Sequence, residues 1–300
     1  MFYKTKEMTR YFLSLTVILF TLSSCQNKGK KSENTTFGEV QIVADESLFP
    51  IVDDEHQVFQ SRYKRAKITM VYKPQQEALA LFLNDSIDIA ILPRQLKNDE
   101  AEFFKHKNVK LRPVKFAIDG IAIITSVNNI TKKITVDELK SYLSGSISNS
   151  PIVVFDNTKS STVEYLMNNL NVKELDAKNI YALKTSEEVI KYVKNNPNTY
   201  GIIGVSWIKR PTKTIEEDIK HIKMLAVKNK QGKFVVPSQA SLKTGEYPLT
   251  RDLYLIDGQG KSGLGTGFAA FLASDIGQRI ILKSGLAPDS LPSRQIIIKK

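Results

Sequence analysis

The chain of 300 residues is poor in the side chains that form covalent cross-links and metal centres, with one cysteine and three histidines. Because Cys25 is alone, no disulfide can form within the chain. His56, His106 and His221 are widely separated, and each stands among polar or lysine-rich neighbours. This spacing favours surface positions over a clustered metal site. The sequence therefore predicts neither a bound metal nor a cofactor.

The apolar run near the N-terminus, residues 11–22, is shorter than the ~20 apolar residues that span a membrane. It follows a short basic segment, as the apolar region of a secretory signal peptide does. The run ends in LSSC, residues 22–25, which resembles the lipobox of bacterial lipoproteins. The resemblance implies that residues 1–24 are a signal peptide. It also implies that lipidated Cys25 anchors the exported protein to a membrane of the cell envelope.

Acidic residues are outnumbered by basic ones, and the formal net charge is +12. Residues 25–38 are polar and nearly free of apolar side chains, which predicts a flexible tether. Beyond the tether the lysines are scattered, with no basic stripe interleaved with aromatic residues. The charge therefore favours solubility and attraction to small anions over a nucleic-acid partner.

Segments of strand length alternate with helical patterns through most of the chain, which predicts βαβ units and an α/β fold. A long β-rich run, residues 111–129, has the length to carry the chain from one lobe to another. We therefore predict one lobe from residues 39–118 with 240–300, and a second from residues 119–239. Near the end, the pattern from about residue 265 to the stop at Gly285 and Pro288 predicts a single long helix.

The stretch VVFDNTKSSTVEYLM, residues 153–167, passes from a strand through a polar loop into a helical pattern that starts near Ser161. Ser161 and Glu164 have the spacing of a capping box, which by itself explains the serines. A helix N-terminus with several hydroxyls beside a lysine also suits a bound anion. The hydroxyl-rich turn comprises Lys159, Ser160, Ser161 and Thr162. Its residues leave both interpretations open, a plain cap and an oxyanion site.

A second strand, loop and helix with a hydroxyl occurs at ADESLFPIV, where Ser47 is the predicted cap and Pro50 lies in the first turn. If the two helix N-termini belong to different lobes, they can face each other across a cleft. Such an arrangement can close on an oxyanion.

From about residue 40 to residue 288 the chain resembles the PstS-like phosphate-binding proteins. The resemblance is carried by ADESLFPIV, DIAILPRQLKNDE, AIDGIAIITSVNN, ITVDELKSYLSG, NTKSSTVEYL, YGIIGVSWI, EYPLTRDLYLI and SDIGQRIILKSGLAP. It implies the type II periplasmic-binding-protein fold, with two lobes of mixed, mostly parallel sheets joined by hinge strands. It also implies phosphate as ligand, the permease of an ABC transporter as partner, and no catalysis.

The resemblance also implies ligand-binding residues. Ser47 falls where the family has a hydroxyl at the first helix N-terminus. Ser160 and Thr162 fall on the Ser and Thr of the family's Ser-Gly-Thr turn, and Ser161 replaces the glycine. The backbone approach to the anion is therefore expected to differ.

The charged ligands of the family are not matched. Its arginine falls on Asp156, one aspartate on Thr158, and the aspartate that accepts a proton from phosphate on Pro93. Arg94 and Lys159 are the cations that can compensate, since a charge-assisted hydrogen bond contributes ~1.5–3 kcal/mol.

These features together predict an exported, lipid-anchored monomer that captures an oxyanion, first of all phosphate, for an ABC importer. One alternative is the same fold diverged to another ligand, or to sensing or assembly without phosphate binding. An exported serine hydrolase is a third reading, and it requires a histidine beside Ser160, Ser161 or Ser206. GVSWI begins like a nucleophile elbow, but Ile208 stands where the second glycine is needed, which disfavours this reading.

Overall fold

The computed structural model describes residues 34–147, 150–175 and 178–290. The predicted signal peptide, Cys25 and most of the predicted tether lie outside the described residues. The last tether residues, Asn34 to Phe37, form a turn in which the Phe37 ring lies 4.8 Å from the Arg65 guanidinium. None of the described helices is long and apolar enough to cross a membrane.

Strands and helices alternate as the sequence predicts. The strands are β1 (Gly38–Asp45), β2 (Ala66–Lys73), β3 (Ile89–Leu92), β4 (Arg112–Ser126), β5 (Lys133–Ile134), β6 (Ile152–Phe155), β7 (Ile180–Ala182), β8 (Thr199–Gly204), β9 (Ile222–Met224), β10 (Ala226–Lys228), β11 (Phe234–Val235), β12 (Thr250–Asp257) and β13 (Ala287–Pro288). The helices are α1 (Phe49–Arg62), α2 (Gln75–Leu83), α3 (Asn98–His106), α4 (Val136–Leu143), α5 (Ser161–Leu170), α6 (Ser186–Asn195), α7 (Ser206–Lys209), α8 (Glu216–Ile219), α9 (Gln239–Lys243), α10 (Leu264–Ala273) and α11 (Asp275–Lys283).

In the described part of the chain, ten strands form one mixed sheet with the order β2-β1-β3-β12-β4-β8-β6-β7, and β9 and β13 also pair with β4. The outer pairs β1–β2, β1–β3, β6–β7 and β6–β8 are parallel, whereas β4 runs antiparallel to β12 and β8. The predicted α/β fold with mixed sheets is therefore confirmed.

The long strand β4 belongs to both halves of this sheet. Its residues 112–120 pair with β12, and residues 121–124 pair with β8. We call the β1, β2, β3 and β12 side the first half, and the β8, β6 and β7 side the second half. The predicted lobe boundaries, residues 39–118 with 240–300 and residues 119–239, stay a prediction.

Close packing of helices on the sheet builds the core. In the first half, Phe59 of α1 meets Phe268 and Phe271 of α10 with ring centroids 5.2 and 5.3 Å apart. In the second half, α6 lies so near β8 that a Cβ on Gly201 would be 2.7 Å from a Val193 methyl. Such density leaves no room for an added side chain.

The single long helix predicted near the C-terminus is wrong, because the chain forms two helices, α10 and α11. Ser274 between them is extended, with φ −74° and ψ 164°, and its Oγ accepts a hydrogen bond from the Gly277 N–H at 3.4 Å. A serine that caps a new helix ends the preceding one, although the apolar pattern continues through both.

Candidate functional site

Helix α5 begins at Ser161, as the apolar spacing predicts, but its cap is the preceding residue. Ser160 Oγ accepts a hydrogen bond from the Val163 N–H at 3.3 Å. The predicted capping box of Ser161 with Glu164 is therefore wrong. Glu164 instead forms ion pairs with Arg94 and hydrogen-bonds to Gln75 of α2.

Ser160→Ala is expected to lower the free energy of unfolding by about 1 kcal/mol, because the Val163 N–H loses its acceptor at a helix N-terminus. The measurement is urea unfolding followed by circular dichroism. Ser146→Ala, a change at an exposed serine outside any helix, is the control and should stay within about 0.5 kcal/mol of wild type. Equal effects of the two variants would contradict the assigned cap.

The N-terminus of α1 also differs from its prediction. A 3-10 turn, Glu46–Leu48, precedes the helix, and Ser47 lies inside this turn instead of capping α1. Asp45 caps the turn, since its Oδ1 accepts a hydrogen bond from the Ser47 N–H at 2.8 Å. The Ser47 hydroxyl is thereby left for tertiary contacts.

Ser47 and Ser161 meet although 114 residues separate them. Their hydroxyl oxygens lie 3.0 Å apart. The guanidinium of Arg251 joins both, with Nη1 donating to Ser161 Oγ at 2.8 Å and Nη2 donating to Ser47 Oγ at 3.1 Å. Two of the predicted ligand residues are thus brought together from the two halves of the sheet, around a cation that the sequence interpretation did not include.

Arg251 is held in place by Asp119, its direct cross-strand partner in the β12–β4 ladder. The Arg251 Nε and Nη2 both donate to Asp119 Oδ2, at 3.0 and 2.8 Å, and the two side chains are 1% and 0% exposed. The second half leaves room for this pair at Gly204, where a Cβ would lie 2.9 Å from Arg251 Nη2. The guanidinium therefore has one defined position at the junction of the two halves.

A signal for this pair is present in the sequence. Arg251 lies on the same face of β12 as the buried Leu253 and Leu255, and Asp119 lies in the long, mostly buried strand β4. Charged residues on the buried face of a strand are rare unless they are paired. Arg251 alternates with the leucines of TRDLYLI, and Asp119 interrupts the apolar stretch FAIDGIAII, so the sequence marks both as charges on buried strands.

Buried Asp45 and Asp156 lie within reach of the Arg251 charge, and half-buried Glu46 lies near both. Asp156 accepts hydrogen bonds from the Asn157 N–H at 2.9 Å and from Ser186 Oγ at 3.3 Å, and burial raises its pKa to about 6. Burial also raises the pKa of Glu46 to about 7, with the charges of Asp156 and Asp45 adding to the effect. The pKa of Asp45 is raised by burial, which outweighs the attraction of the Arg251 charge. The site therefore combines one permanent cation with acids that titrate near neutral pH.

The other predicted site residues have different surroundings. Thr162 is fully buried, and its Oγ1 has no hydrogen-bond partner within the described residues. Lys159 is mostly exposed, with its ammonium 3.8 Å from Glu77. Arg94 donates to both oxygens of Glu100, at 2.7 and 2.8 Å, and so already has a carboxylate partner.

A cavity of about 180 Å³ lies next to the Arg251 cluster. It is lined by Gln75, Pro93, Arg94, Ser161, Glu164, Tyr165, Asn168, Asn169 and Arg251. The walls come from both halves of the sheet, and they include two arginines and one carboxylate. Pro93, the residue on which the resemblance places the family's proton acceptor, lines this cavity and has no titratable side chain.

Direct hydrogen bonds join the two halves around the cavity. Trp207 Nε1 donates to the backbone oxygen of Ser47 at 3.0 Å, and the Tyr165 hydroxyl donates to the backbone oxygen of Thr250 at 2.8 Å. The Trp207 indole also stacks on Phe49 at 5.9 Å. The single tryptophan thus lies where the halves touch.

The surroundings of the serines and of the acidic residues bear on two other kinds of site, a serine-hydrolase site and a metal site. In the ranges that the structure describes, no histidine is hydrogen-bonded to Ser160, Ser161 or Ser206, and Ser206 Oγ is buried without a partner. A serine hydrolase lacks its general base there. The same ranges contain no group of three or more His, Cys, Asp or Glu that is arranged to hold a metal ion.

Known proteins are similar to this chain in sequence and in fold. The family described as "PBP superfamily domain" matches residues 29–275. Phosphate-binding protein PstS of Staphylococcus saprophyticus is 22% identical over 265 residues, which are 84% of this chain and 80% of that protein. Protein SphX of Synechococcus elongatus is 25% identical over 225 residues, which are 70% of this chain and 65% of that protein.

Among solved structures, a Clostridium perfringens protein described as a phosphate ABC transporter substrate-binding protein with bound phosphate superposes with a TM-score of 0.70. It is 21% identical, and the match covers 84% of this chain and 100% of that one. The chain therefore belongs to the PBP superfamily, which confirms the predicted PstS-like resemblance and the type II periplasmic-binding-protein fold.

Proposed function

We propose that the protein is a solute-binding protein that captures an oxyanion, first of all phosphate, and delivers it to the permease of an ABC importer. The observation that carries the proposal is the convergence of Ser47, Ser161 and the Arg251 guanidinium at the junction of the two halves. The names of the relatives, phosphate-binding and phosphate-transport proteins, support the same function. No chemistry on the ligand is proposed.

The guanidinium and the hydroxyls would replace the hydration shell of the anion. Arg251 makes four hydrogen bonds, two to Asp119 and one to each serine, and a guanidinium has one further N–H, on Nη1. This N–H is the donor that we assign to the ligand. Ser160 and Thr162 remain in the proposed site through the N-terminus of α5.

Capture would involve closure of the two lobes. Because the cluster draws its members from both halves, a ligand that bridges them binds the closed arrangement better than an open one and so selects it. Arg94 and Lys159 would add positive charge near the entrance. Export as a lipid-anchored monomer, held at the cell envelope through Cys25, completes the proposal.

One observation favours the alternative that the fold serves another ligand or a sensing role. Asp45, Asp119 and Asp156 are all buried near the Arg251 guanidinium, and ionised carboxylates oppose a multiply charged anion. A protein of this kind would keep the fold and bind no phosphate.

Titration of the purified protein with phosphate and then with sulfate separates these functions. We expect saturable heat with phosphate in calorimetry and a change in Trp207 fluorescence, since the indole is bonded to Ser47 across the junction. Sulfate, which carries no proton at neutral pH to donate to a buried carboxylate, should bind at least about tenfold more weakly. Absence of heat with both anions would contradict the proposed function and favour the alternative.

A further inference from the structure

The cavity beside Arg251 has a buried cationic end and an exposed amide mouth. Arg251 and Ser161 are 4% and 2% exposed, whereas Asn168 and Asn169 are exposed. All four line the same cavity of about 180 Å³. An anion held at the buried end would therefore have open space on the side that faces solvent.

Helix α5 has a polar face that its packing in the core does not explain. Ser161, Glu164, Tyr165 and Asn168 have the i, i+3, i+4, i+7 spacing of one helix face, and all of them line the cavity. The apolar residues Val163, Leu166 and Leu170 lie on the buried side of the helix. The cavity face is thus a separate surface that presents polar groups to whatever the cavity holds.

Two polar side chains on the cavity wall are already hydrogen-bonded, whereas the amides at the mouth are only partly used. The Tyr165 hydroxyl donates to Thr250, and Gln75 is bonded to Glu164. At the mouth, Asn169 Nδ2 donates to the backbone oxygen of Tyr165 at 2.9 Å, which leaves its Oδ1 as an acceptor. The Asn168 amide makes no hydrogen bond within the described residues. The mouth therefore offers amide donors and acceptors to a ligand.

The volume of the cavity exceeds what a bare phosphate needs. An engineered cavity of ~150 Å³ holds benzene, so about 180 Å³ has room for about seven heavy atoms, two more than phosphate has, and a longer substituent must extend out through the mouth. A site that rejects esters must enclose every oxygen of the anion, so that any substituent clashes. Here the side of the cavity towards Asn168 and Asn169 is open.

We propose that the cavity takes phosphate monoesters with a small polar substituent as well as inorganic phosphate, an inference that rests on the proposed function. The phosphoryl group lies against Arg251 Nη1 and Ser161. The substituent extends past Glu164 and hydrogen-bonds with the amides of Asn168 and Asn169. Glu164, held in place by ion pairs with Arg94 and Lys97, is an acceptor for a hydroxyl or ammonium group of the substituent.

The test compares inorganic phosphate, methyl phosphate and glycerol 3-phosphate by calorimetry on the purified protein. We expect glycerol 3-phosphate to bind at least as tightly as phosphate, and methyl phosphate to bind within about threefold of phosphate. Asn168→Trp, which blocks the mouth, should weaken glycerol 3-phosphate by at least about tenfold and phosphate by less than about threefold. Asn128→Trp makes the same chemical change at an exposed loop position outside the cavity and should alter neither affinity.

The outcomes separate this inference from the proposed function. Phosphate binding with both esters at least about a hundredfold weaker would overturn the inference and leave the proposed function standing. Equal loss of phosphate and ester binding in Asn168→Trp would also overturn it, since the mouth would then not discriminate. If neither phosphate nor the esters bind to the wild-type protein, the proposed function fails and the inference fails with it.

Discussion

Arg251→Met is expected to lower the free energy of unfolding by about 3–5 kcal/mol, because it leaves the buried Asp119 carboxylate without its partner. The same change should weaken phosphate binding by at least about a hundredfold, since both the positive charge and the Nη1 N–H assigned to the ligand are lost. Urea unfolding and calorimetric titration measure the two effects.

The double variant Arg251→Met with Asp119→Leu separates stability from binding. Replacing a buried ion pair by apolar side chains is often close to neutral, so the double variant should regain most of the lost stability and still fail to bind phosphate. Arg210→Met is the control at a more exposed ion pair with Asp54, and it should cost no more than about 1 kcal/mol. Phosphate binding by the stable double variant would show that Arg251 is structural only.

Asp156→Asn is expected to strengthen phosphate binding at pH 7.5 by about tenfold, because it removes a buried negative charge near the hydroxyl cluster. The pKa of Asp156 is raised to about 6, so the carboxyl is ionised at pH 7.5 and mostly protonated at pH 5. The affinities of the variant and the wild type should therefore converge at pH 5. Phosphate itself ionises identically in both titrations, so their ratio isolates the protein group.

The free energy of unfolding should also depend on the protonation of the Asp156 carboxyl. Between the ordinary pKa of 3.8 and the raised value of about 6, the folded state of the wild type binds more protons than the unfolded state. Its stability therefore falls as the pH rises from 4 to 7, by about 2 kcal/mol from this residue, and in Asp156→Asn the fall should be smaller by that amount.

Asp137→Asn, a change at an exposed acid in the first turn of α4, is the control for both measurements. It should leave phosphate affinity unchanged and the pH profile of stability close to that of the wild type. An Asp156→Asn protein with the wild-type phosphate affinity at both pH values would contradict the assigned repulsion.

Local patterns were enough for much of the fold and for part of the site. Helix α5 begins where the apolar spacing starts, because side-chain periodicity and turn residues act over a few positions. The long β-rich run became β4, the strand that joins the two halves. The hydroxyl turns at Ser47 and at Ser160 to Thr162 were also visible, since short-range hydrogen bonding favours such residues at helix starts.

Other features depend on neighbours that are distant in sequence. The cap of α5 lies at Ser160 because Glu164 is engaged by Gln75 and Arg94 of the other half, instead of turning back to its own helix. The break between α10 and α11 interrupts an apolar pattern that continues through both helices.

The sequence by itself determined the α/β class, the PstS-like resemblance and the residues that carry hydroxyls at two helix starts. Only the tertiary structure decided that Ser47 meets Ser161, that Arg251 joins them while Asp119 holds it, and that a cavity opens beside them. The physical reason is that hydrogen bonds and charge pairs form between groups that the sheet register brings together. Residues 119 and 251 become neighbours only when β4 and β12 pair.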